Sequence, residues 1–425
     1  MSLLVALALA CSSTQSIPVG GGTAAGGDSG ASAANDTAEH LPTPDPTVEP
    51  ALTSPGLVEL TCPGPIPVDT DIPCDIRILH PDGSEEWSGP AALHQRGRSS
   101  AGFPKPQYRL TLRDDDRAAA EADLFGMGGE ADWVLNGMWI DRALIRNKLA
   151  YDLFRAISEG ADWAPESVYV ELTLDGSYQG VYLLNEVIDR DQARLAFEDD
   201  DGTGSRFIVK ADEQGFASGL QYAAWAIDSP SGSELTREVE AGVEGRIADW
   251  ENSLAGGDGF DHMDLDSFVG FVLIEEFMKN NDAYFLSHRV WAGDDGWLRM
   301  VPWDLDLTLG QPDYNENWRT DTWIAYRPAL VSLPAEQSAF RARLVERWEE
   351  ARQGPLATAA VLERIAGQRA VLGDAVDRNW ARWDITTVDF GGQLYVVGSP
   401  EEEYARVEAW VVARLEWMDE EIGDY

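Results

Sequence analysis

Residues 57–190 read as β-rich and residues 191–425 as mainly helical, which predicts an α+β fold. Three observations carry this. The runs LVELTC and CDIRIL are broken by Pro and Asp-Gly, as short strands are. Val168, Val170, Leu172 and Leu174 alternate up to Asp175-Gly176, and Tyr178 to Leu184 return as the partner strand of a two-residue hairpin. Further on, Phe268, Phe271, Val272, Ile274 and Phe277 cover more than one face of a helix, which should therefore lie deep.

The N-terminal run MSLLVALALAC is apolar but too short to span a bilayer. Ala8-Leu9-Ala10 stand before Cys11 as small residues stand before a lipidated cysteine. Residues 1–11 are read as a signal or lipobox-like segment with Cys11 as the lipidation site. Residues 12–56, rich in Gly, Ala, Ser, Thr and Pro, are read as a disordered tether. Together they predict an exported cell-envelope lipoprotein whose contact with a membrane is the Cys11 anchor, carrying one domain over 57–425. Cys62 and Cys74, twelve apart, invite a disulfide in an exported chain; two buried thiols are the cytosolic alternative.

Charge excludes some functions. In 425 residues, 74 acidic side chains outnumber 32 basic ones for a net charge of −42, a field that repels nucleic acid and anionic membrane surfaces. Nucleic acid is not expected as a partner. With 44% hydrophobic residues and 16 Trp, a large core is affordable, and the three Cys and five His show no zinc spacing. Lysine occurs only at 105, 148, 210 and 279.

Candidate chemistry begins at Arg96-Gly97-Arg98-Ser99-Ser100, a loop whose backbone N–H groups and guanidinium forks suit phosphate oxygens, with Lys105 following. Ordinary turn chemistry gives the same composition. Ile145, Leu149, Leu153 and Ile157 mark a helix, with Asp141 as N-cap and Gly160 as C-terminal cap. Arg146 and Asn147 suit a solvated face less well than Lys148 does. Glu186, at the end of an apolar strand, is a site residue or the salt-bridge partner of Arg190. Between 189 and 259 the sequence is loop-rich and acidic, with one short strand at 206–210 and a helix from about 234 to 254. The run EDDDGTGS lacks the spacing of a calcium loop and reads as solvated. From Asp264 to Gly310 come the deep helix, an acidic turn at Asn280-Asn281-Asp282, a hairpin around residues 293–296, and Trp303-Asp304-Leu305-Asp306. One acid here suits a substrate proton and another a metal ion. Helical sequence resumes over 335–352, 356–383 and 400–422.

This order of parts parallels that of protein kinases, although none of the ordinary kinase motifs is present. The segments RGRSSAGFPKPQYRLTL, DWVLNGMWIDRALIRNKLAYDLF, YVELTLDGSYQGVYLLNEVI, NND and PWDLD resemble the spore-coat CotH kinase family, an atypical group of secreted or surface proteins. The resemblance implies a protein-kinase-like fold of two lobes, a β-rich N-terminal lobe over 57–190 and a mainly helical C-terminal lobe over 191–425. It implies Arg96, Arg98, Ser99 and Lys105 at the nucleotide phosphates and Glu186 at the nucleotide-binding hinge. It makes Asp282 the general base, and Asp304 with Asp306 the metal ligands. The implied cofactors are ATP and Mg²⁺, with Mn²⁺ as a substitute, and the implied partner is a Ser/Thr acceptor on surface or envelope proteins. A monomer is expected. The chain departs from the pattern at His288-Arg289, where many members have Asn after His, at Ser287, five residues after Asp282, where ordinary kinases place a metal-binding Asn, and at Val187, where Lys is common. A catalytically inactive surface-anchored binding, adhesion or structural envelope protein on the same frame is the alternative.

Overall fold

Alternation closes the first half of the chain into a barrel. The computed structural model describes residues 52–98, 100–221, 223–257, 259–280, 282–311, 316–325, 327–383 and 397–425. Cys11, Ser99, Asn281 and the expected leader and tether up to residue 51 lie outside the described residues. The strands are β1 (Gly56–Thr61), β2 (Ile72–Leu79), β3 (Glu85–Arg96), β4 (Gln107–Leu112), a small pair β5 (Ala122–Asp123) and β6 (Gly129–Glu130), and then β7 (Asp132–Asn136). Helix α1 (Arg146–Ile157) intervenes before the hairpin β8 (Ser167–Leu174) and β9 (Ser177–Glu186). The barrel runs β1-β2-β3-β4-β7-β9-β8 and closes where β8 pairs in parallel with β1.

Every second residue points inward. Val58, Leu60, Ile76, Ile78, Leu93, Leu110, Leu112, Leu135, Val170, Leu172 and Leu184 fill the interior. On β7, β8 and β9 the alternate residues Val134, Tyr169, Val181 and Leu183 join a second, larger core outside the barrel. This explains why these strands read as near-continuous apolar runs. At the β8–β9 turn Asp175 and Gly176 both have positive φ, 49° and 74°, as a type I′ turn demands. Cys62, just after β1, forms a disulfide with Cys74 of β2, so the expected pairing is present. Strand β1 begins at Gly56, and Leu52 before it packs against the barrel core.

The second half is mainly helical, as expected, but carries more strands than expected. Strands β10 (Phe207–Asp212), β11 (Phe216–Ala217), β12 (Ala224–Ser229), β13 (Arg289–Ala292) and β14 (Leu298–Val301) form one antiparallel sheet in the order β11-β12-β10-β13-β14. One strand was expected before the deep helix, and three are present. The fold is α+β, with strands in both halves.

The helices are α2 (Arg237–Gly256), α3 (Leu265–Met278), α4 (Ala329–Ala335), α5 (Ser338–Arg352), α6 (Thr358–Leu372), α7 (Ala375–Arg382) and α8 (Pro400–Glu421). Helix α3 is the deep one. Asp264 caps it by accepting from the N–H groups of Asp266 and Ser267 at 3.0 and 3.2 Å. Phe268, Phe271, Ile274 and Phe277 are all fully buried, each contributing about 1.5–3 kcal/mol by leaving water. The single helix expected over 356–383 is two, parted at Gly373, whose φ is 47°. No helix among the described residues is long and apolar enough to cross a membrane.

Candidate active site

The segment after β14 carries Trp303-Asp304-Leu305-Asp306, and helix α1 holds it. Leu305 is fully buried, so its neighbours Asp304 and Asp306 are presented together at the edge of the core, each half-buried. Asn147 Oδ1 accepts from the Leu305 N–H at 2.7 Å, and Tyr151 Oη accepts from the Asp304 N–H at 3.3 Å. Asn147 and Tyr151 are one helical turn apart and share a face. Arg146 Nε donates to the Thr308 carbonyl at 2.9 Å, fixing the far end of the loop.

Arg146 is itself wholly buried. It pairs with Asp141 and, at 2.8 Å, with Glu403 of α8. Asp141 was expected as the N-cap of α1; the cap position is Ile145, without a side-chain bond. The Asp141 carboxylate nevertheless accepts from the N–H groups of Ala143 and Arg146 at 3.1 and 2.7 Å. Of these the Arg146 N–H belongs to the helix, so Asp141 satisfies one free donor at its start from four residues upstream of the cap.

Two arginines flank Trp303. The guanidinium carbon of Arg96, at the end of β3, lies 5.5 Å from the Trp303 ring centroid, and that of Arg289, at the start of β13, lies 5.2 Å away. Tyr151 stacks on the same indole with centroids 6.1 Å apart. Burial raises the pKa of the Asp304 carboxyl, while Arg96 and Arg289 oppose the rise. Asp306 is pushed well above the usual carboxylate range, chiefly by burial and then by the charges of Asp304, Asp141 and Asp282; Arg146 opposes this. Four acids from three parts of the chain thus converge on one place.

Asp282 follows α3 in a turn whose Asn280 Oδ1 accepts from the Asp282 N–H at 3.2 Å. Beneath the turn, burial raises the pKa of Glu275 to about 8, Asn280 opposing it by a hydrogen bond and Glu276 and Asp282 adding to it. Lys279, Tyr284, Ser287 and Asp304 take positive φ between 52° and 70°. Left-handed backbone at non-glycine residues costs about 1–3 kcal/mol each and gathers where geometry matters more than ease of folding.

The other expected residues spend their hydrogen bonds outside the cluster, although the charge of Asp141 also acts on Lys105. Arg98 reaches from the glycine loop to Asp212 at 3.4 Å and to Glu213, on an exposed surface. Lys105 is 1% exposed; its ammonium donates to the Val181 carbonyl and, at 2.8 Å, to Asn379 Oδ1 of α7, and it lies 4.8 Å from the Tyr182 ring centroid. Gly180, at φ 97°, leaves room for Asn379 that a Cβ would fill. Glu186 is buried, accepts from the Glu166 N–H at 2.7 Å, and lies 3.7 Å from Arg194 rather than beside Arg190; burial raises its pKa to about 8. Thus Arg96, Asp282, Asp304 and Asp306 come together, while Arg98, Lys105 and Glu186 engage other partners. Sequence reasoning missed Tyr151 and Arg289 as members of the cluster. The signal for Tyr151 was its place four residues after Asn147.

A divalent cation fits this cluster in one way. Among the described residues no three His, Cys, Asp or Glu side chains are grouped closely enough to hold a metal alone. Mg²⁺ is commonly held by one or two carboxylates, with substrate phosphates and water completing its sphere. Asp304 and Asp306 are such a pair, set in an excess of negative charge that a cation would neutralise.

The family model for CotH kinase protein matches residues 93–418, from β3 into α8. The chain belongs to the CotH family. It is 25% identical over 304 residues to inner spore coat protein H of Bacillus subtilis (strain 168), an alignment covering 65% of this chain and 78% of that protein. The CotH match takes in the whole carboxylate cluster and both flanking arginines. Strands β1 and β2, with their disulfide, precede it.

Proposed function

We propose that this CotH-family chain is an exported protein kinase, transferring the terminal phosphoryl group of ATP to Ser or Thr hydroxyls of surface or envelope proteins. The convergence of Asp282, Asp304 and Asp306, with Arg96 and Arg289 on the flank, carries the reading. Phosphoryl transfer passes through a loose transition state, so catalysis is mostly positioning and charge neutralisation. In this reading Asp304 and Asp306 hold Mg²⁺ (or Mn²⁺), which when bound supplies positive charge to phosphate oxygens. Asp282 accepts the proton of the acceptor hydroxyl. Arg96 faces the phosphates. Helix α1 keeps the Asp304 loop in its left-handed shape through Asn147 and Tyr151. The barrel and the remainder of the chain are read as the two lobes of a kinase-like frame. The CotH relative is named as a spore coat protein, which agrees with export and, together with Cys11, with anchoring at a cell envelope.

A second reading keeps the frame without turnover. Ser287 stands where a second metal ligand is usual, and Arg289 lies beside Asp304, which favours one cation over two and suits a binding or structural envelope module. Incubation of the protein with γ-labelled ATP, Mg²⁺ and envelope extract separates them. A kinase labels an acceptor, and Asp282→Asn abolishes the label. A folded wild-type chain that transfers nothing under Mg²⁺ or Mn²⁺ supports the inactive module.

A further inference from the structure

We propose that Lys210 and Arg289 form a wall that holds the anionic oxygens of the phosphate donor, the place the sequence pattern assigns to Lys105. The inference rests on the phosphoryl-transfer reading above and names the residues of its donor subsite.

Lys210 of β10 pairs directly with Arg289 of β13 in an antiparallel register, so their side chains share one face of the second sheet. Asp228 of β12 lies between them, 3.6 Å from Lys210 Nζ and 3.4 Å from Arg289 Nε. Asp212 sits 3.2 Å from Lys210 and 3.4 Å from Arg98 of the glycine loop. At the other end Arg289 and Arg96 flank Trp303, beside Asp304. A row Arg98, Lys210, Arg289, Arg96 therefore runs from the glycine loop to the half-buried acids.

Such a row on a surface is usually a solvated set of ion pairs. Three facts favour a ligand here. The chain has 74 acids to 32 bases, so four cations in sequence are not a sample of its average surface. The row ends at the two carboxylates that would share a cation with phosphate. Lys210 keeps a third of its side chain open to solvent, 32%, whereas Lys105 is 1% exposed and spends its donors on Val181 and Asn379, packing the barrel against α7. Asp212 and Asp228 hold the cations in place in the free chain; phosphate oxygens can take over as acceptors of the same donors, in charge-assisted bonds.

Calorimetric titration of ATP and AMP with Mg²⁺ into the full chain tests this, using wild type, Lys210→Met, Arg289→Met and Lys105→Met, with thermal melts of each. Loss of one charge-assisted contact weakens ATP by about tenfold or more. The expected result is that Lys210→Met and Arg289→Met melt near wild type and lose ATP affinity, while AMP affinity stays within twofold. Lys105→Met should lower the melting temperature. Should Lys210→Met unfold, Lys210→Gln serves at the same half-open position. Wild-type ATP affinity in Lys210→Met and Arg289→Met, with wild type binding ATP, overturns the inference and leaves the kinase reading standing. Equal loss of ATP and AMP also overturns it. A folded wild-type chain that binds no nucleotide overturns both.

Discussion

Asn147 accepts the Leu305 N–H at 2.7 Å from within helix α1, and this bond ties the first long helix to the loop bearing Asp304 and Asp306. Asn147 is 1% exposed, so no water replaces it. Asn147→Ala leaves a buried N–H unsatisfied, at a cost of about 1–3 kcal/mol. The expected outcome is a lower urea midpoint together with a fall in label transfer larger than that of Tyr151→Phe. Tyr151→Phe removes the acceptor at 3.3 Å and a long bond of 3.4 Å donated to Asn147 Oδ1, and keeps the stacking on Trp303.

Arg146 joins α1 to α8 through Asp141 and Glu403, all three fully buried. Removing one partner of such a network strands charge in the core. Arg146→Met should cost about 3–5 kcal/mol, read as a shift of the denaturation midpoint. Arg343→Met, whose partner Asp266 is half exposed on its side chain, should shift it by under about 1 kcal/mol.

Stability should fall as pH rises through the neutral range. Burial raises Glu186 and Glu275 to about 8 and Asp162 to about 7. Between the unfolded carboxylate range and those values, the folded chain retains protons that the unfolded chain has released. The unfolded state then binds fewer protons, so unfolding free energy declines with pH. The contribution is complete below about pH 4 and lost by about pH 8. Glu275→Gln should flatten the decline of melting temperature over that window; an unchanged slope would count against the buried-proton account.

The Cys62–Cys74 bridge closes the short loop between β1 and β2. Reductant should lower the stability of wild type by about 2–4 kcal/mol. The double variant Cys62→Ser with Cys74→Ser should start from that lowered value and show no response to reductant. Equal melting curves with and without reductant in wild type would contradict the prediction.

Local pattern was legible where local interactions decide the structure. Asp175-Gly176 fixed the hairpin by its need for two positive φ values, Asp264 marked the start of α3, and the all-round apolar surface of α3 foretold its depth. In the second sheet the strand at 206–210 and the hairpin around 293–296 were legible, but the assembly was not, because β10 pairs with β13, some eighty residues on, and β11 is two residues long. Neither has a hairpin signal of its own for its main partner. At the site, Asp282, Asp304 and Asp306 stood out as acids closing apolar elements. Lys105 and Glu186 are of the same residue types as site groups, yet burial commits them elsewhere, and burial of one side chain is a property of the tertiary fold. Arg289 was visible only as a departure from a pattern; its place beside Trp303 follows from the β10–β13 register.

Calorimetric titration of Mg²⁺ with ATP into wild type and Asp304→Asn tests the central claim most directly. The account predicts one saturable, Mg²⁺-dependent site in wild type, weakened at least about tenfold in Asp304→Asn, the effect of losing about 1.4 kcal/mol of binding. A folded wild-type chain with no Mg²⁺-dependent ATP binding, or an Asp304→Asn chain that binds as wild type does, would contradict it.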